Sequence, residues 1–369
     1  MTQTLALFVD AYRQLNARKM FWVTMLLSAV VLSVLFAVSI SENPDATSLF
    51  DSRHLKLMFW DTPFPVPPGM ELETLLKGTF LTIGLGLWLT WAAAILALIS
   101  TASIIPDFLS AGSIDLILSK PIGRLRAYLT KYAGGLLFVA IQVTVFSAAA
   151  FLIIGFRTGA WEFGLFIAVP LVVAFFSYLF SVCALVGTVT RSAITSLLVT
   201  MLFWLLLFAA NFSDEALAMP RVANEIYVQK LEEKADELRT SEAQDASIRL
   251  VVLESQLQEA IASRDLWRRW HGLIVGMKTS LPKTSETIGL MERWLIEIVD
   301  LPDTGDEPNA QIPFITPKMR AAGVRSNTVA RRVQEIYRDR SALWVLGTSF
   351  IFEGIVLGLA CIIFVRRDY

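Results

Sequence analysis

Two cysteines and two histidines are all that this chain of 369 residues offers to thiol, imidazole or soft-metal chemistry. Cys183 and Cys361 both fall inside long apolar runs, where they read as packing residues and not as a disulfide or metal pair. His54 has no second histidine or cysteine near it in sequence and reads as a surface residue. No H-E-x-x-H, C-x-x-C or G-x-S-x-G occurs, so metal and triad chemistry lack their residues, and no catalytic residue, metal ligand or bound cofactor is expected. Also absent is G-x-x-x-x-G-K-[ST], so the chain has no P-loop of its own in which to cradle ATP phosphates. A formal net charge of −1, with no basic patch interleaved with aromatics, sets nucleic acid aside as a partner.

What the chain has instead is apolar length. With 55% hydrophobic and 18% charged residues and a mean hydropathy of +0.57, it reads as an integral membrane protein with a soluble insert. A bilayer core of ~30 Å needs ~20 apolar residues in a helix. Six runs meet that need, at about 21–40, 78–102, 132–155, 163–188, 193–212 and 342–365. Ten basic residues (Arg13, Arg18, Lys19, Lys120, Arg124, Arg126, Lys131, Arg191, Arg366 and Arg367) flank these runs on one side, against Arg53, Lys56, Arg157 and the boundary residue Lys77 on the other. The positive-inside rule then puts both termini in the cytoplasm, in a multi-pass protein of the cytoplasmic (inner) membrane.

Ahead of the first run, Leu5, Phe8, Val9, Tyr12 and Leu15 recur at helical spacing with Asp10, Arg13, Gln14 and Arg18 elsewhere on the wheel, which predicts an interfacial amphipathic helix resting on membrane lipid. Ala37-Val38-Ser39 has the small residues of a signal cleavage site, but Phe21 to Ile40 is a full span and not a short h-region. Ser48 to Trp60, in the first outside loop, reads as another interfacial helix, before prolines between Pro63 and Pro68 redirect the chain. Pro170 falls in the fourth span, where a kink is tolerated if neighbouring helices satisfy the freed carbonyl, and Gly84, Gly86 and Gly187 allow close helix approach.

The expected division is 1–212 for the interfacial helix and five spans, 213–340 for a helical extracytoplasmic domain, and 341–369 for the sixth span and a short tail. From Arg221 to His271 there is no glycine or proline. Leu231/Leu238 and Leu250/Leu257 repeat at seven, so this stretch predicts one long helix or a broken pair with coiled-coil character, weakest at 239–247. A shorter helix is expected at 284–300, another opened by Thr316 and Pro317 and ended by Gly323, and a last one capped by Asn327 that runs into the sixth span. The insert's 21 acidic and 18 basic residues nearly cancel, so its charges read as a solvated face. The fold class is thus all-α: six transmembrane helices, an N-terminal interfacial helix, and a mostly helical insert between the fifth and sixth spans.

Between the second and third runs lies a short basic island, Ile105 to Lys131. Asp107 to Ser119 reads as a helix, and Pro121 and Gly123 suit the second and fourth positions of a type I turn. Gly112, Ser113, Leu116, Leu118, Pro121, Arg124 and Lys131 follow the order of a motif in the first cytoplasmic loop of permease subunits of type-2 ABC exporters, which this chain resembles in layout over 1–212 and 341–369. Ser113 stands where that family usually has threonine, and of the acidic residues usual before the glycine only Asp107 is nearby. The resemblance implies a loop helix that docks on a separate ABC ATPase subunit, which binds the ATP. Its coupling residues here would be Asp107, Gly112, Ser113, Asp115, Lys120, Pro121 and Arg124. It also implies a second permease chain, identical or similar, while the insert would recruit an extracytoplasmic protein partner or shape the exit.

One acid falls well inside a span: Glu353, in SFIFEGIVLG. An ionised carboxylate at a helix centre costs at least ~2.5 kcal/mol to insert, so Glu353 should face the bundle, either as a translocation or gating residue or as a carboxyl bonded to a neighbour such as Gln142 or a span threonine. Two rival readings stay open. In one, the spans anchor a non-transporting scaffold or sensor with a coiled-coil ectodomain; in the other, Glu353 serves a proton-coupled secondary transporter.

Overall fold

The computed structural model describes residues 19–42, 53–57, 60–65, 71–110, 123–240, 246–299 and 315–367. In chain order these form α1 (Lys19–Ala37), β1 (Val38–Glu42), β2 (Arg53–Leu57), β3 (Trp60–Pro65), α2 (Leu72–Thr79), a π-helical stretch Phe80–Ala93, α3 (Ala94–Thr101) and α4 (Ile104–Phe108). Then come α5 (Arg124–Thr158), a 3-10 turn Phe163–Ile167, α6 (Ala168–Thr190), α7 (Ala193–Thr240), α8 (Ala246–Thr279), α9 (Thr284–Val299), α10 (Pro317–Ala321), α11 (Ser326–Arg338) and α12 (Ala342–Arg366). Among the described residues six helical segments are long and apolar enough to cross a bilayer, each overlapping one of the six runs read from the sequence. This is an all-α membrane protein. Trp22, Leu26, Val30 and Phe36 on α1, like Leu198, Leu202 and Leu205 on α7, stand exposed, as side chains facing hydrocarbon do.

By its contacts the chain divides into two units. One takes in the chain up to Trp204, Thr284–Pro302 and the chain from Phe350; the other takes in Leu205–Lys283 and Asp303–Ser349. In the first unit α5 and α6 lie closest together, because Gly135 has no side chain: a Cβ there would sit 2.5 Å from Phe180, a ring stacked on Tyr132 at 5.0 Å. Gly84 and Gly187 also make close approaches, against Phe146 and Pro106. The π winding of the second span shows in Thr90, whose hydroxyl donates to the carbonyl five residues back. Lys77 is 4% exposed and paired with Glu73 and Glu162. Here α9 packs across α6, the 3-10 turn and the π-helical stretch, so this part of the expected insert belongs by contact with the spans.

Several expectations change. The interfacial helix placed at 48–60 is replaced where described by strands β2 and β3, which with β1 form an antiparallel sheet in the order β1-β2-β3. His-Leu-Lys-Leu over 54–57 alternates polar and apolar, the period of a strand, and the prolines at 63 and 65 sit on the edge strand β3, where a missing donor is tolerated. Pro170 lies in the first turn of α6, which begins at Ala168, a position where a missing N–H is tolerated. The interfacial helix expected at 5–19 falls, but for Lys19 at the start of α1, outside the described residues.

In the second unit α7, ending at Thr240, and α8, starting at Ala246, form a pair. Asp214 meets Lys278, Arg221 meets His271 and Arg239 meets Glu254, the converging order of an antiparallel hairpin. The part of α7 from Ser213 to Thr240 is roughly 40 Å long at 1.5 Å per residue. Val222, Val228 and Leu231 of α7 and Ala260 of α8 bury against Met319 of α10 and Val329 and Val333 of α11. Thr316 caps α10 by accepting from the Met319 N–H, and Gly323 ends that turn at φ +94°. The last helix begins one residue before the expected cap: Arg325 holds the N-cap position, and Asn327 accepts from its neighbour Thr328. It also stops before the sixth span, since Asp339 to Ser341 break the helix between α11 and α12.

Candidate functional site

Of the residues assigned to the loop motif, Asp107 and Arg124 are described; Gly112, Ser113, Asp115, Lys120 and Pro121 lie outside the described residues. The second span breaks at Ala102 and Ser103, and α4 follows as a separate short helix. Ile105, Pro106 and Phe108 are buried and Asp107 is exposed. Pro106 lies where a Gly187 side chain would be, 3.2 Å from the ideal Cβ, and Phe108 meets Phe364 of α12 at 5.5 Å. Phe364 also packs on Tyr128 of α5, whose hydroxyl is 2.9 Å from Thr188 Oγ1 of α6. Arg124 turns back on the bundle, its Nη1 donating to the carbonyls of Val365 and Arg367 at 3.4 and 3.3 Å. Arg367 in turn donates to the Thr188 and Val189 carbonyls at the end of α6. These are the unpaired carbonyls of two helix C-termini, where cations are favoured.

Glu353 lies at mid-helix in α12 and faces α5 and α6. Tyr132 donates to Oε1 at 2.8 Å and Ser177 to Oε2 at 2.7 Å. The Tyr132 hydroxyl is also 3.0 Å from the Ser177 carbonyl, and Ser177 Oγ is 2.8 Å from the Ala174 carbonyl. The Glu353 carboxyl thus accepts one hydrogen bond from each of two neighbouring helices, and each hydroxyl also has a backbone carbonyl within reach. Gln142, named from the sequence as a partner, is not one: it is 2% exposed and its Oε1 has no hydrogen-bond partner. Tyr132 and Ser177 were not singled out, because a tyrosine and a serine in apolar runs give no periodic signal. Their depth does: Ser177 and Glu353 each lie 13 residues before the last residue of their helix.

A third constellation, in the second unit, was not read from the sequence at all. Asp214 is fully buried. Lys278 Nζ lies 2.8 Å from its Oδ2, Arg340 Nη2 3.6 Å from the same oxygen, and His271 Nε2 3.0 Å from Oδ1. The histidine contact is close but out of line for a hydrogen bond, and Oδ1 has no donor aligned to it. On its other side His271 Nδ1 is 3.1 Å from Arg221, which also pairs with Glu225 at 3.2 Å. Burial, and then the Asp214 carboxylate, push the Tyr337 phenol above its ordinary range. The signal available was spacing: Asp214/Arg221 and His271/Lys278 are each seven apart, so each pair lies on one helix face.

Among the described residues no three His, Cys, Asp or Glu side chains gather as a metal-binding group. Comparison with family models, curated proteins and solved structures yields no match to this chain.

Proposed function

We propose that the chain is the membrane-spanning permease subunit of an ATP-driven ABC exporter, paired with a second permease chain in the cytoplasmic membrane and driven by separate ATPase subunits. The observation that carries this reading is α4. It is cut from the second span, seated by Pro106 on α6 and by Phe108 on α12, and followed in sequence by the motif segment 111–122. A push delivered to that segment from the cytoplasm would pass through a packed element to three spans, which is what an ATPase partner requires of its permease. Asp107 would face the partner. Arg124, tied to the C-terminal carbonyls of α12, would hold the start of α5 in place.

A second reading has its own support in Glu353, whose carboxyl sits between two hydroxyls on three spans, as a proton-coupled transporter would need. Affinity purification from native membranes, with identification of co-purifying chains, separates the two. An ABC ATPase should co-purify, and Gly112→Trp should leave the protein inserted but abolish its stimulation of that ATPase. Unchanged stimulation would remove the loop as the docking element, and uptake driven by a proton gradient without ATP would favour the second reading.

A further inference from the structure

His271 is a buried titratable group that the transport reading leaves unused. Arginine can only donate, so His271 Nδ1, 3.1 Å from Arg221 Nη1, must accept. The ring proton is then on Nε2, facing Asp214 Oδ1 at 3.0 Å. The neutral imidazole thus accepts from Arg221 and turns its N–H edge toward the carboxylate. A second proton would turn Nδ1 into a donor pointed at a guanidinium, leaving two donors and two positive charges in contact.

The groups around the ring sharpen this conflict. From α7 come Asp214, Arg221 and Arg221's partner Glu225, with Glu215 exposed nearby; from α8 comes Lys278; from α11 comes Tyr337, and from the link between α11 and α12 comes Arg340. A charged His271 would be a fourth cation beside Arg221, Lys278 and Arg340, around one buried carboxylate.

Where this contact sits gives it leverage. Arg221 follows Pro220, the proline inside α7. Pro220 cannot donate to the carbonyl four residues back, so the helix is short of a bond at this turn, and its own carbonyl is taken up by the Asn224 side chain at 2.7 Å. The Arg221–His271 contact ties α7 to α8 at that weak turn, two turns along the helix from the Asp214–Lys278 pair. We propose that Arg221 and His271 form a clasp over a proline hinge in α7, closed by the neutral imidazole and opened when the ring takes a second proton.

The test is amide hydrogen exchange on the full chain in lipid nanodiscs, at roughly pH 7.5 and 5.5, on either side of ordinary histidine titration and corrected for intrinsic rates. Peptides covering 214–226 should lose protection by about tenfold at the lower pH, as expected when one bond to a charged group is lost. His271→Gln can accept from Arg221 without titrating, and should abolish the step while keeping protection at both values. Arg221→Gln, which can accept from or donate to Nδ1, should flatten it as well. A wild-type chain without the step, or a step that persists in His271→Gln, overturns the clasp. Should both variants lose the hairpin, nitrogen NMR of labelled histidine in a His54→Gln background decides: the neutral ring must carry its proton on Nε2, and an Nδ1–H tautomer overturns the proposal.

Discussion

Replacing Glu353 by leucine should leave the membrane unit as stable as before, or more so, while damaging transport. The loss is small. Hydrogen bonds between membrane helices average ~0.6 kcal/mol in double-mutant cycles, so the bonds from Tyr132 and Ser177 together contribute roughly 1 kcal/mol. Neither hydroxyl is orphaned, because the Ser177 and Ala174 carbonyls remain at 3.0 and 2.8 Å. The gain is larger on paper, since charged and apolar residues at a helix centre differ by roughly 3 kcal/mol on the insertion scale, although a bundle-facing position realises only part of it. The expected net change lies between neutral and ~2 kcal/mol of added stability. Glu353→Gln should behave similarly, with its amide donating to hydroxyls that turn to their backbone acceptors. Reversible unfolding in bicelles measures the stability; transport in vesicles, with and without ATP at two pH values, measures the function. Under the exporter reading the glutamine variant loses at most several-fold and keeps its pH dependence. A leucine variant destabilised by more than ~2 kcal/mol would mean the carboxyl is held for the fold, and the argument for a functional Glu353 would fail.

Asp214→Ala strips the counter-charge from Lys278 and Arg340 and should destabilise the helices of the second unit by about 3–5 kcal/mol, with Asp214→Leu/Lys278→Met recovering part of it; exchange protection of 253–261 reports both. Gly135→Ala places a methyl 2.5 Å from a Phe180 ring held by its stack on Tyr132, and should cost about 1–3 kcal/mol in the same bicelle assay; a neutral result would show that Phe180 can yield. An impermeant thiol reagent should reach a cysteine placed at Ser241 from outside the cell and one at Ser119 only after permeabilisation. Labelling of Ser241 from the cytoplasm alone would invert the topology.

The spans were legible because lipid imposes a one-dimensional requirement, ~20 apolar residues in a row, that composition alone can meet or miss. The same holds for the division of the heptad stretch into α7, ending at Thr240, and α8, starting at Ala246, and for Thr316 and Gly323 at the ends of α10, since caps and heptads are local chemistry. The loop after the first span was misread because Phe50, Leu57, Met58 and Trp60 can be fitted to a helical face, whereas the pairing of Arg53–Leu57 with Val38–Glu42 depends on residues far apart in the chain. The break between Arg338 and Ala342 went unseen for a related reason: no glycine or proline marks it, and Arg340 is drawn to Asp214, more than 120 positions earlier. The partners of Glu353 and the whole Asp214 cluster belong to the same class. Sequence shows that a buried acid needs hydrogen bonds or a counter-charge; which hydroxyls and cations supply them is decided only when helices from distant parts of the chain pack together, because a side-chain contact across a bundle leaves no period in the sequence.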